Sequence, residues 1–474
     1  MTENTPEIML FNTMGRKKEL FVPIKRGHVG IYSCGPTVYN YAHIGNLMSY
    51  VFSDTLKRTF LYNGFKVKHV INITDVGHLT SDADEGEDKM EKGAKREGKT
   101  VWEVAEFYTK AFKDDFKALN IIEPDIWCKA TDHINEMIEI NMTLEKKGFT
   151  YFAGGNLYFD ISKFKDYGKL ALLNIESLKA GARIDVDENK KNPHDFALWF
   201  TKSKFENQAM IWESPWGKGY PGWHIECSAM SSKYLGEHFD IHTGGIDHIP
   251  VHHTNEIAQA EAAFGHKWVN WWMHNEFLVI NKGKMAKSGE NFLRLQALID
   301  KGYDPLAYRY FLLNGQYRQQ LMFSFEALDS AKNGYENLKG KIIELKKRLL
   351  EKSDDEEHDD RIAEYKEQFL KAINDDLNTP QALAVLWTAI KDDGLNNKEK
   401  LALAFDFDRV FGLRLEKAEE EKIEVADEIK ELIEQRNNAK KEKDWKTADS
   451  LREEIKAQGF ILEDTKQGTT ARKA

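Results

Sequence analysis

Residues 31–46, which read IYSCGPTVYNYAHIGN, constrain the fold of this chain more than any other stretch. They join a short apolar strand to a Gly-Pro turn and then to the start of a long apolar helix, and a second alternating stretch, FKVKHVINITD, follows at residues 65–75. This order predicts two parallel strands joined by a crossover helix, the βαβ unit of an α/β fold. Such folds bind ligands at the carboxyl ends of their strands, which is where Cys34, His43 and Thr74 fall. Backbone N–H groups at the helix start would favour a phosphate there.

Length and composition set broad limits on the class of protein. A chain of 474 residues, with 41% hydrophobic and 30% charged residues, is typical of a globular protein of about three domains. We expect neither a secretory signal nor a membrane span, because no basic segment precedes an apolar run and no apolar run reaches about 18 residues. Three cysteines suit a reducing cytoplasm better than a disulfide framework, and we interpret one of them, Cys128, as structural. The net charge of −10 argues against non-specific nucleic-acid binding by the whole surface but permits a local basic face.

A second group of reactive side chains lies at residues 215–256. Cys227 directly precedes a predicted helix at 228–235, and His252 and Glu256 stand four residues apart at the start of another, so that both lie on one helical face. With Cys34 they offer two thiols, an imidazole and a carboxylate, a donor set suited to zinc. The long intervals permit other combinations, and Cys34 alone also fits a small buried residue. We interpret three neighbouring histidines as core or surface residues: His242, His248 and His253.

Two further segments could hold a nucleotide. Gly244 and Gly245 allow a close backbone approach, and Asp247 lies where a ribose hydroxyl could be held, although a simple turn explains this spacing equally well. A third predicted strand at 276–280 runs into the loop NKGKMAKSG, whose lysines could neutralise a triphosphate or could simply be solvated.

These motifs resemble a known family. HIGN at residues 43–46 and KMAKS at residues 284–288 are similar to the HIGH and KMSKS motifs of the class I aminoacyl-tRNA synthetases. The segments CGPTVY, NITD, ATDHI, PGWHIECSAM and HHTNEIAQ resemble the cysteinyl-tRNA synthetases in particular, in the same order from about residue 10 to the C-terminus. The resemblance implies a cytoplasmic ligase that uses ATP, with Mg²⁺, to activate L-cysteine as cysteinyl-adenylate and then transfers it to the 3′ end of tRNA(Cys). No extended coiled-coil seam suggests a dimer, so we expect a monomer.

Carried over residue by residue, the resemblance assigns the site. The zinc ligands would be Cys34, Cys227, His252 and Glu256. The cysteine contacts would be Gly35, Thr74 and Trp223. The ATP contacts would be His43, Gly45, Gly244, Gly245, Asp247 and Lys287, and the catalytic residues His43, Asn46, Lys284 and Lys287. In that family the substrate thiolate joins the zinc, and because a soft thiolate binds zinc better than the hydroxyl of serine, selection needs no editing domain.

The sequence departs from the family pattern at five positions. Two of them, Val251 and Thr254, lie beside the proposed ligands without changing them. Asn46 replaces the second histidine of HIGH; its amide can donate to a phosphate oxygen but carries no charge. Ala286 replaces the serine of KMSKS, while both lysines of that motif remain. Ala471 stands where relatives commonly have tryptophan, which could alter the anticodon contacts.

The predicted architecture is an α/β, Rossmann-type parallel-sheet catalytic domain with an insertion, followed by an α-helical bundle and a small C-terminal domain. The predicted segments are the first half of the catalytic domain at 10–150, the insertion at 151–215, the second half at 216–290, stem-contact helices at 291–322, the helical bundle at 323–415 and the anticodon-binding region at 423–474. In the bundle, Thr379 followed by Pro380 predicts a helix capped by Thr379.

A basic cluster lies near the turn of a predicted C-terminal helical hairpin. Its five members either contact RNA phosphates or form a solvated face: Arg436, Lys440, Lys441, Lys443 and Lys446. We expect Trp445, which lies among them, to belong to the core.

Two alternative functions remain open from the sequence. One is a cysteine ligase of the mycothiol-pathway type, which resembles the catalytic half and would join cysteine to an amino sugar; the C-terminal 150 residues argue against such a small acceptor. The other is a catalytically silent RNA-binding or zinc-structural relative, suggested by Asn46. Both motif lysines and all four zinc-type ligands are present, so we prefer the synthetase.

Overall fold

The computed structural model describes residues 6–77, 88–173, 188–202, 209–280, 283–284, 293–351, 359–419, 427–465 and 468–473. The chain forms two compact units, residues 1–416 and residues 417–474. The first unit carries the described residues of the predicted zinc, cysteine and ATP sites, and the second carries the basic cluster. Each unit is described by itself.

The first unit begins with a hairpin and the predicted βαβ unit. In chain order its elements are β1 (Met9–Asn12), β2 (Lys17–Leu20), β3 (His28–Ser33), α1 (Ile44–Tyr62), β4 (Lys66–Ile73), α2 (Lys89–Glu97), α3 (Val101–Ala118) and β5 (Ile126–Lys129). Strands β1 and β2 pair antiparallel. Strand β4 pairs in parallel with β3 on one side and with β5 on the other, which confirms the predicted parallel pair.

Helix α1 begins just after β3 because the local sequence caps it there. The His43 Nδ1 atom accepts a hydrogen bond from the Asn46 backbone N–H at 3.0 Å, and Asn46 Oδ1 accepts one from the His43 backbone N–H at 3.3 Å. This reciprocal pair is a capping box. At the other end, Gly64 follows the helix with φ +82°, a conformation that suits glycine. The apolar face of the helix is buried, through Ile44, Leu47, Met48, Val51, Phe52, Leu56 and Phe60.

Four short strands between residues 150 and 221, a range that overlaps the predicted insertion, form a sheet of their own. After the helical turn Ala130–His133 and helix α4 (Ile134–Lys146) come β6 (Thr150–Ala153), β7 (Asn156–Phe159), the helical turn Ile161–Lys163, β8 (Phe196–Phe200) and β9 (Tyr220–Pro221). The four strands pair antiparallel in the order β6-β7-β8-β9. The rings of Phe159 and Phe196 stack across it with centroids 5.0 Å apart. Antiparallel pairing distinguishes this sheet from the parallel one.

The next segment completes the parallel sheet. It contains α5 (Trp223–Leu235), β10 (Phe239–Gly245), the helical turn Ile246–His248, α6 (His252–Phe264), β11 (Val269–Asn275), β12 (Leu278–Ile280) and β13 (Gly283–Lys284). Strand β10 pairs in parallel with both β3 and β11, which gives the strand order β11-β10-β3-β4-β5. This parallel sheet, with helices between its strands, confirms the predicted Rossmann-type α/β fold.

Helix α5 begins earlier than the sequence predicts. It starts at Trp223 rather than at residue 228, because Gly222 has extended backbone angles that end β9 and take the N-cap position. Cys227 therefore lies inside the helix, one turn from its start, instead of preceding it.

The remaining elements of the first unit are mostly helical. They are α7 (Leu295–Ile299), α8 (Pro305–Leu313), β14 (Leu321–Phe323), α9 (Phe325–Glu351), α10 (Asp359–Asn374), α11 (Thr379–Lys391), α12 (Asn397–Phe411) and the helical turn Leu415–Lys417. The strand predicted at 276–280 forms as β12, which pairs with β13 and β14 in a separate sheet. None of the described helices combines the length and the apolar character needed to span a membrane.

The cap of α11 differs from the prediction. Asn378 is the capping residue, and its Oδ1 atom accepts a hydrogen bond from the Gln381 backbone N–H at 3.2 Å. The Thr379 hydroxyl instead donates to the Leu313 carbonyl at 2.8 Å. Thr379 therefore joins α11 to the end of α8 and does not cap its own helix.

A buried group of charges joins α1 to the bundle. We call Asp54, Arg58 and Arg309 the Asp54 cluster. Arg58 Nε and Arg309 Nη2 donate to Asp54 Oδ2 at 2.7 and 2.5 Å. The other guanidinium nitrogens donate to backbone carbonyls at the ends of α3 and α12: Leu119, Asn120, Arg409 and Phe411. The partial negative charge of these helix ends balances the second guanidinium.

The second unit is a helical hairpin followed by a β-hairpin. It consists of α13 (Asp427–Lys441), α14 (Trp445–Ala457), β15 (Phe460–Thr465) and β16 (Gly468–Lys473). Its small core contains Ile429, Ile455 and Leu462, and Ala471 packs against it.

Two members of the basic cluster are paired within the second unit. Arg436 is buried, and its two Nη atoms each donate to the Asp464 carboxylate at 2.9 Å, while Lys440 donates to the same group at 2.8 Å. Trp445 is 60% exposed, so the prediction that it belongs to the core is wrong. It begins α14 directly after the turn, among exposed lysines, where the small core does not reach it.

Candidate active site

A cavity of about 230 Å³ lies at the carboxyl ends of the parallel strands. Cys34 follows β3, Thr74 follows β4 and Gly244 lies at the end of β10, so three neighbouring strands open onto it. This is the crevice that the sheet order predicts. Predicted site residues of each class line it: Cys34, Gly35, Asn46, Thr74, Trp223, Cys227, Gly244, Gly245, Asp247 and His252.

The turn after Cys34 requires glycine. A Cβ atom on Gly35 would lie 1.5 Å from the Asn72 carbonyl oxygen, so no larger residue fits. The Gly35 N–H donates to Asn72 Oδ1 at 2.7 Å, and the Thr74 N–H donates to the Pro36 carbonyl at 3.0 Å. The chain after β3 is therefore held against the end of β4, which keeps Cys34 and Thr74 at the same edge of the cavity.

Four side chains with metal-binding atoms meet at this cavity, and we call them the donor cluster: Cys34, Cys227, His252 and Glu256. One ligand atom of each lies within 4.8 Å of those of the others. They come from the end of β3, from α5 and from the first two turns of α6, and all but Cys34 are buried. Two sulfur atoms with an imidazole and one carboxylate suit zinc, whereas magnesium and calcium prefer oxygen ligands throughout.

The Glu256 carboxylate supports a metal at this position. It is fully buried, and among the described residues neither of its oxygens has a hydrogen-bond partner. The Nε2 atoms of His252 and His242 lie 2.7 and 2.9 Å from Oε1 and Oε2, but without hydrogen-bond alignment. A buried carboxylate without aligned donors is unfavourable, and a cation bound to it would compensate. The residues present therefore fit a zinc ion.

A second donor set overlaps the first. Cys34 and Glu256 could also act with His242 and His253, since their ligand atoms again lie within 4.8 Å of one another. Contacts do not distinguish the two sets, because both histidines have neighbours on both sides. His253 Nε2 lies 3.3 Å from Cys34 Sγ and its Nδ1 lies 2.8 Å from His274 Nε2, while His252 Nδ1 lies 2.9 Å from His224 Nδ1 and its Nε2 lies 2.7 Å from Glu256 Oε1. His242 and His253 are buried, as one of the two sequence interpretations expects, and neither lines the cavity. A zinc site with a position open to a ligand is therefore better served by the donor cluster.

Burial and neighbouring groups shift the ionisation of the donor cluster. Burial, reinforced by Cys34, raises the pKa of the Cys227 thiol well above its ordinary value. Burial would also raise the pKa of Cys34, but a hydrogen bond from Cys227 and the charges of His253 and His242 lower it well below its usual range. Burial likewise opposes ionisation of Glu256, yet the two imidazoles that contact it lower its pKa. The cluster thus favours a thiolate and a carboxylate, the anionic forms that bind metals.

Trp223 connects the donor cluster with a cation in the cavity. Its indole stacks on the His252 imidazole, with ring centroids 4.1 Å apart and planes inclined by 24°. Lys89 Nζ lies 5.3 Å from the centroid of the same indole, and Lys89 also lines the cavity. Arg96 of the same helix donates to the Tyr39 carbonyl at 2.7 Å, which holds α2 against the turn before α1. An ammonium group therefore lies one aromatic ring away from the donor cluster, where it could face an anionic group of a ligand.

The predicted nucleotide and catalytic residues fall into three groups. Four of them line the cavity: Asn46, Gly244, Gly245 and Asp247. Two lie at the start of α1, outside that lining: His43 and Gly45. Lys284 belongs to β13, and Lys287 lies outside the described residues.

The structure adds four residues to the site and its surroundings. Asn72 and Lys89 line the cavity, while Glu226 and His253 lie behind it, in contact with Thr74 and Cys34. Asn72 is a polar residue in an otherwise apolar strand end, and this was the available sequence signal for it. Glu226 directly precedes Cys227, and His253 directly follows His252, each on the same helix as its neighbour. Sequence spacing alone does not show whether the side chain next to a predicted ligand points toward the site or away from it. Lys89 follows the acidic stretch SDADEGED, which made it resemble one more solvated charge.

Two family models match the chain. The model described as tRNA synthetases class I (C) catalytic domain matches residues 20–333. The model described as cysteinyl-tRNA ligase anticodon binding domain matches residues 424–472. The first covers more than half of the chain and includes the cavity.

Individual relatives match over nearly the whole length. The chain is 54% identical to a cysteine-tRNA ligase of Treponema denticola, over 98% of the chain and 99% of that protein. It is 48% identical to cysteine-tRNA ligase 1 of Burkholderia lata, over 97% and 96%. Among solved structures, methionyl-tRNA synthetase of Mycobacterium tuberculosis in complex with methionyl-adenylate is similar in fold, with a TM-score of 0.57 and 14% identity over 81% of this chain and 90% of that one.

Proposed function

The chain belongs to the cysteinyl-tRNA synthetase family, and from this premise we propose that it ligates L-cysteine to tRNA(Cys) in two steps. In the first, a carboxylate oxygen of cysteine forms a bond to the α-phosphorus of ATP, and pyrophosphate leaves with the electrons of the broken bond. In the second, a hydroxyl at the 3′ end of the tRNA attacks the carbonyl carbon of cysteinyl-adenylate, and AMP leaves. The donor cluster at the base of the cavity is the observation that carries this assignment.

Selection of cysteine is proposed to occur at the donor cluster. Zinc, held by these four side chains, would supply a soft position that accepts a thiolate far better than the hydroxyl of serine. Cys34, Cys227 and His252 line the cavity, so a ligand in it reaches the cluster directly. Glu256 lies behind them and contributes a negative charge to the set. Size alone separates sulfur from oxygen poorly, which is why a chemical criterion is needed.

The rest of the amino acid would be held by residues around the same end of the cavity. Gly35 lets the turn beside Cys34 pack directly against Asn72, and Trp223 forms a wall against His252. Thr74 would contact the amino acid by its hydroxyl. The Lys89 ammonium, above the Trp223 indole, would balance the negative charge that gathers where carboxylate and phosphate meet.

ATP, with Mg²⁺, would occupy the part of the cavity beside α1 and the end of β10. Asn46 can donate its amide to a phosphate oxygen, and Gly244 and Gly245 allow the backbone close to the nucleotide. Asp247 would accept hydrogen bonds from the ribose hydroxyls. His43, as the cap of α1, would keep the helix N-terminus pointed at the phosphates, and Gly45 would keep space beside it. Lys284 and Lys287 would stabilise the pentacoordinate α-phosphorus.

The second unit is proposed to bind the anticodon region of the tRNA. The exposed face near the helical turn carries Trp445 with Lys441, Lys443 and Lys446. An exposed indole can stack on an unpaired base while lysines neutralise phosphates, which is how proteins read single-stranded RNA loops. Arg436 and Lys440 would act indirectly, because they are paired with Asp464. We propose a monomer that works in the cytoplasm.

The direct test is transfer of labelled cysteine onto total tRNA in the presence of ATP and Mg²⁺, scored as RNase-sensitive, acid-precipitable counts. We expect counts with cysteine and none with serine at equal concentration. A zinc-depleted sample should lose the counts and regain them when zinc is added back. Equal charging by cysteine and serine would contradict selection at the donor cluster.

A second assay separates the alternative activities. If tRNA is not charged but cysteine still drives exchange of pyrophosphate into ATP, the acceptor is a small molecule, as in a ligase of the mycothiol type. If neither reaction occurs, the chain is a silent relative. The match of residues 424–472 to an anticodon-binding domain favours the tRNA acceptor.

A further inference from the structure

We propose that Glu226 is a positioning residue that turns the Thr74 hydroxyl into an acceptor for the α-ammonium group of the bound amino acid. The inference rests on the proposed function, since it concerns how cysteine is held in that cavity. Its basis is the direction of a chain of hydrogen bonds that runs from the backbone of Gly35 through Asn72 and Thr74 to Glu226.

The chain of hydrogen bonds starts at a backbone N–H group, so the direction of its first hydrogen bond is unambiguous. The Gly35 backbone N–H can only donate, and it lies 2.7 Å from the side-chain oxygen Oδ1 of Asn72. This fixes the orientation of the Asn72 amide, because its oxygen must face Gly35. The Asn72 Nδ2 group therefore faces Thr74 and donates to Thr74 Oγ1 at 3.0 Å.

The single hydrogen of the Thr74 hydroxyl is then directed at Glu226. Since Thr74 Oγ1 accepts from Asn72, its own hydrogen goes to the other neighbour, Glu226 Oε2, at 2.8 Å. All three side chains are buried, and Glu226 is fully so. Hydrogen bonds to a carboxylate are strong, and a chain of them polarises each member. The Thr74 oxygen is therefore electron-rich, with one lone pair left for a further partner.

This arrangement determines which group of an amino acid Thr74 can bind. Thr74 lines the cavity, but its hydroxyl has no hydrogen left to donate to a carboxylate or a phosphate. It can only accept, and the donor that an amino acid offers is its α-ammonium group. Cysteine would thus be held at its sulfur by the donor cluster and at its nitrogen by Thr74. Glu226 does not contact the substrate and acts through Thr74.

The test compares two thiols that differ only in the amino group: L-cysteine and 3-mercaptopropionate. Binding of each to the full-length, zinc-loaded protein is measured by titration calorimetry. We expect the wild-type protein to prefer cysteine by about tenfold or more, the contribution of a hydrogen bond to a charged group. Thr74→Val should abolish the preference, Glu226→Gln should reduce it severalfold, and Thr74→Ser, which keeps the hydroxyl, should retain it.

Two controls separate positioning from damage to the fold or the zinc site. Glu237→Gln changes an exposed glutamate just after the same helix and should leave the preference unchanged. Bound zinc and the urea midpoint should be the same in Glu226→Gln as in the wild type. In pyrophosphate exchange, Glu226→Gln should raise the KM for cysteine with little change in kcat, since the contact is present before the reaction.

Several outcomes would overturn the inference. An unchanged preference in Thr74→Val or Glu226→Gln contradicts it, and so does an equal loss of affinity for both thiols in these variants. If the wild-type protein binds neither thiol, the proposed function fails together with it. If the wild-type protein shows the ammonium preference but does not charge tRNA, only the proposed function fails.

Discussion

Two groups of buried charges in the first unit differ in how completely the protein satisfies them. In the Asp54 cluster, Oδ2 of Asp54 accepts from both arginines and Oδ1 accepts from the Ile122 backbone N–H at 2.8 Å. In the donor cluster, the equally buried Glu256 has no aligned hydrogen bond among the described residues. The Asp54 carboxylate is fully hydrogen-bonded within the protein, and we call its cluster closed. The Glu256 carboxylate has no aligned donor among the described residues, and we call the donor cluster open.

The difference shows what identifies a site in a buried cluster. Burial and perturbed ionisation are common to both, since the pKa of Asp54, although raised by burial, is lowered by Arg309 and Arg58, and that of Glu256 is lowered by its imidazoles. Only the donor cluster leaves polar atoms unpaired next to a cavity. Unpaired buried atoms are rare in folded proteins, so they indicate a ligand more reliably than a shifted pKa does.

The largest expected effect is that of Cys227→Ser. The serine hydroxyl is a poor zinc ligand, so the variant should lose bound zinc, and cysteine-dependent pyrophosphate exchange should fall by at least about a thousandfold. Zinc is measured by atomic absorption on the purified protein. The urea midpoint of the first unit should change little, which would show that the loss of activity does not come from unfolding.

Cys128→Ser is the matched control for this change. Cys128 is as buried as Cys227, but its thiol faces the Ile71 carbonyl at 3.6 Å and it does not belong to the donor cluster. Zinc content and exchange activity should remain. Retained activity in a zinc-free Cys227→Ser protein would contradict selection of cysteine by a metal at the donor cluster. Zinc retained in that variant would show that Cys227 is not a ligand.

The next largest effect should come from Asp54→Ala, and it should be on stability. Removing the carboxylate leaves two buried guanidinium groups facing each other, which typically costs roughly 3–5 kcal/mol. We expect the free energy of unfolding in urea to fall by about this amount, while the folded protein keeps its zinc and its preference for cysteine over serine.

An exposed carboxylate with the same kind of partners provides the control. Glu344 on α9 also pairs with two cations, Lys341 and Arg348, but its side chain is 39% exposed. Glu344→Ala should cost less than about 1 kcal/mol. Equal decreases in the free energy of unfolding in Asp54→Ala and Glu344→Ala would mean that burial does not increase the contribution of a paired carboxylate to stability.

The pH dependence of stability gives a smaller and more specific effect. The folded-state pKa of Asp54 lies below its ordinary value of 3.8. The ionised Asp54 carboxylate therefore adds its full contribution to the free energy of unfolding above pH 3.8, and this contribution is lost as the pH falls through the lowered pKa. Below pH 3.8 the free energy of unfolding should therefore fall by up to about 1.4 kcal/mol per pH unit more steeply in the wild type than in Asp54→Asn. Chemical denaturation at several acidic pH values measures the two slopes, and parallel slopes would contradict a lowered pKa.

Local sequence rules predicted the frame of the site well. The hydrophobic spacing of residues 44–60 and the Gly64 stop gave α1, and the apolar stretches at 29–34 and 65–75 gave two parallel strands. These depend on interactions within a few residues, which the sequence contains. Even so, Thr379 was assigned a capping role because the rule could not foresee its bond to the distant Leu313 carbonyl.

Local sequence rules could not predict hydrogen bonds between residues that lie far apart in the sequence. Asp54 and Arg58, four residues apart, look like an exposed helical pair, and nothing in the sequence indicates Arg309, which is 255 positions away. Likewise, Arg436 looked available to RNA until Asp464, on β15, was found to hold it. Residue types and the spacing of His252 and Glu256 suggested the donor set, but the family resemblance was needed to choose it, because the long intervals permit combinations with the neighbouring histidines.

The smallest predicted effect tests whether α8, which carries Arg309 of the Asp54 cluster, also positions the start of α1. Tyr308 precedes Arg309 on α8, is fully buried, and donates its hydroxyl hydrogen to the Ile44 carbonyl at 2.8 Å, at the first residue of α1. Tyr308→Phe should lower the free energy of unfolding by about 1 kcal/mol, the worth of one hydrogen bond. It should also raise the KM for ATP a few fold and leave the KM for cysteine unchanged, because the proposed phosphate contacts lie at this helix start. Tyr310→Phe removes a comparable bond, which Tyr310 Oη accepts from Trp387 Nε1 at 3.1 Å, but this bond joins α8 to α11. If both variants alter the KM for ATP equally, the bond from Tyr308 to Ile44 does not position the start of α1.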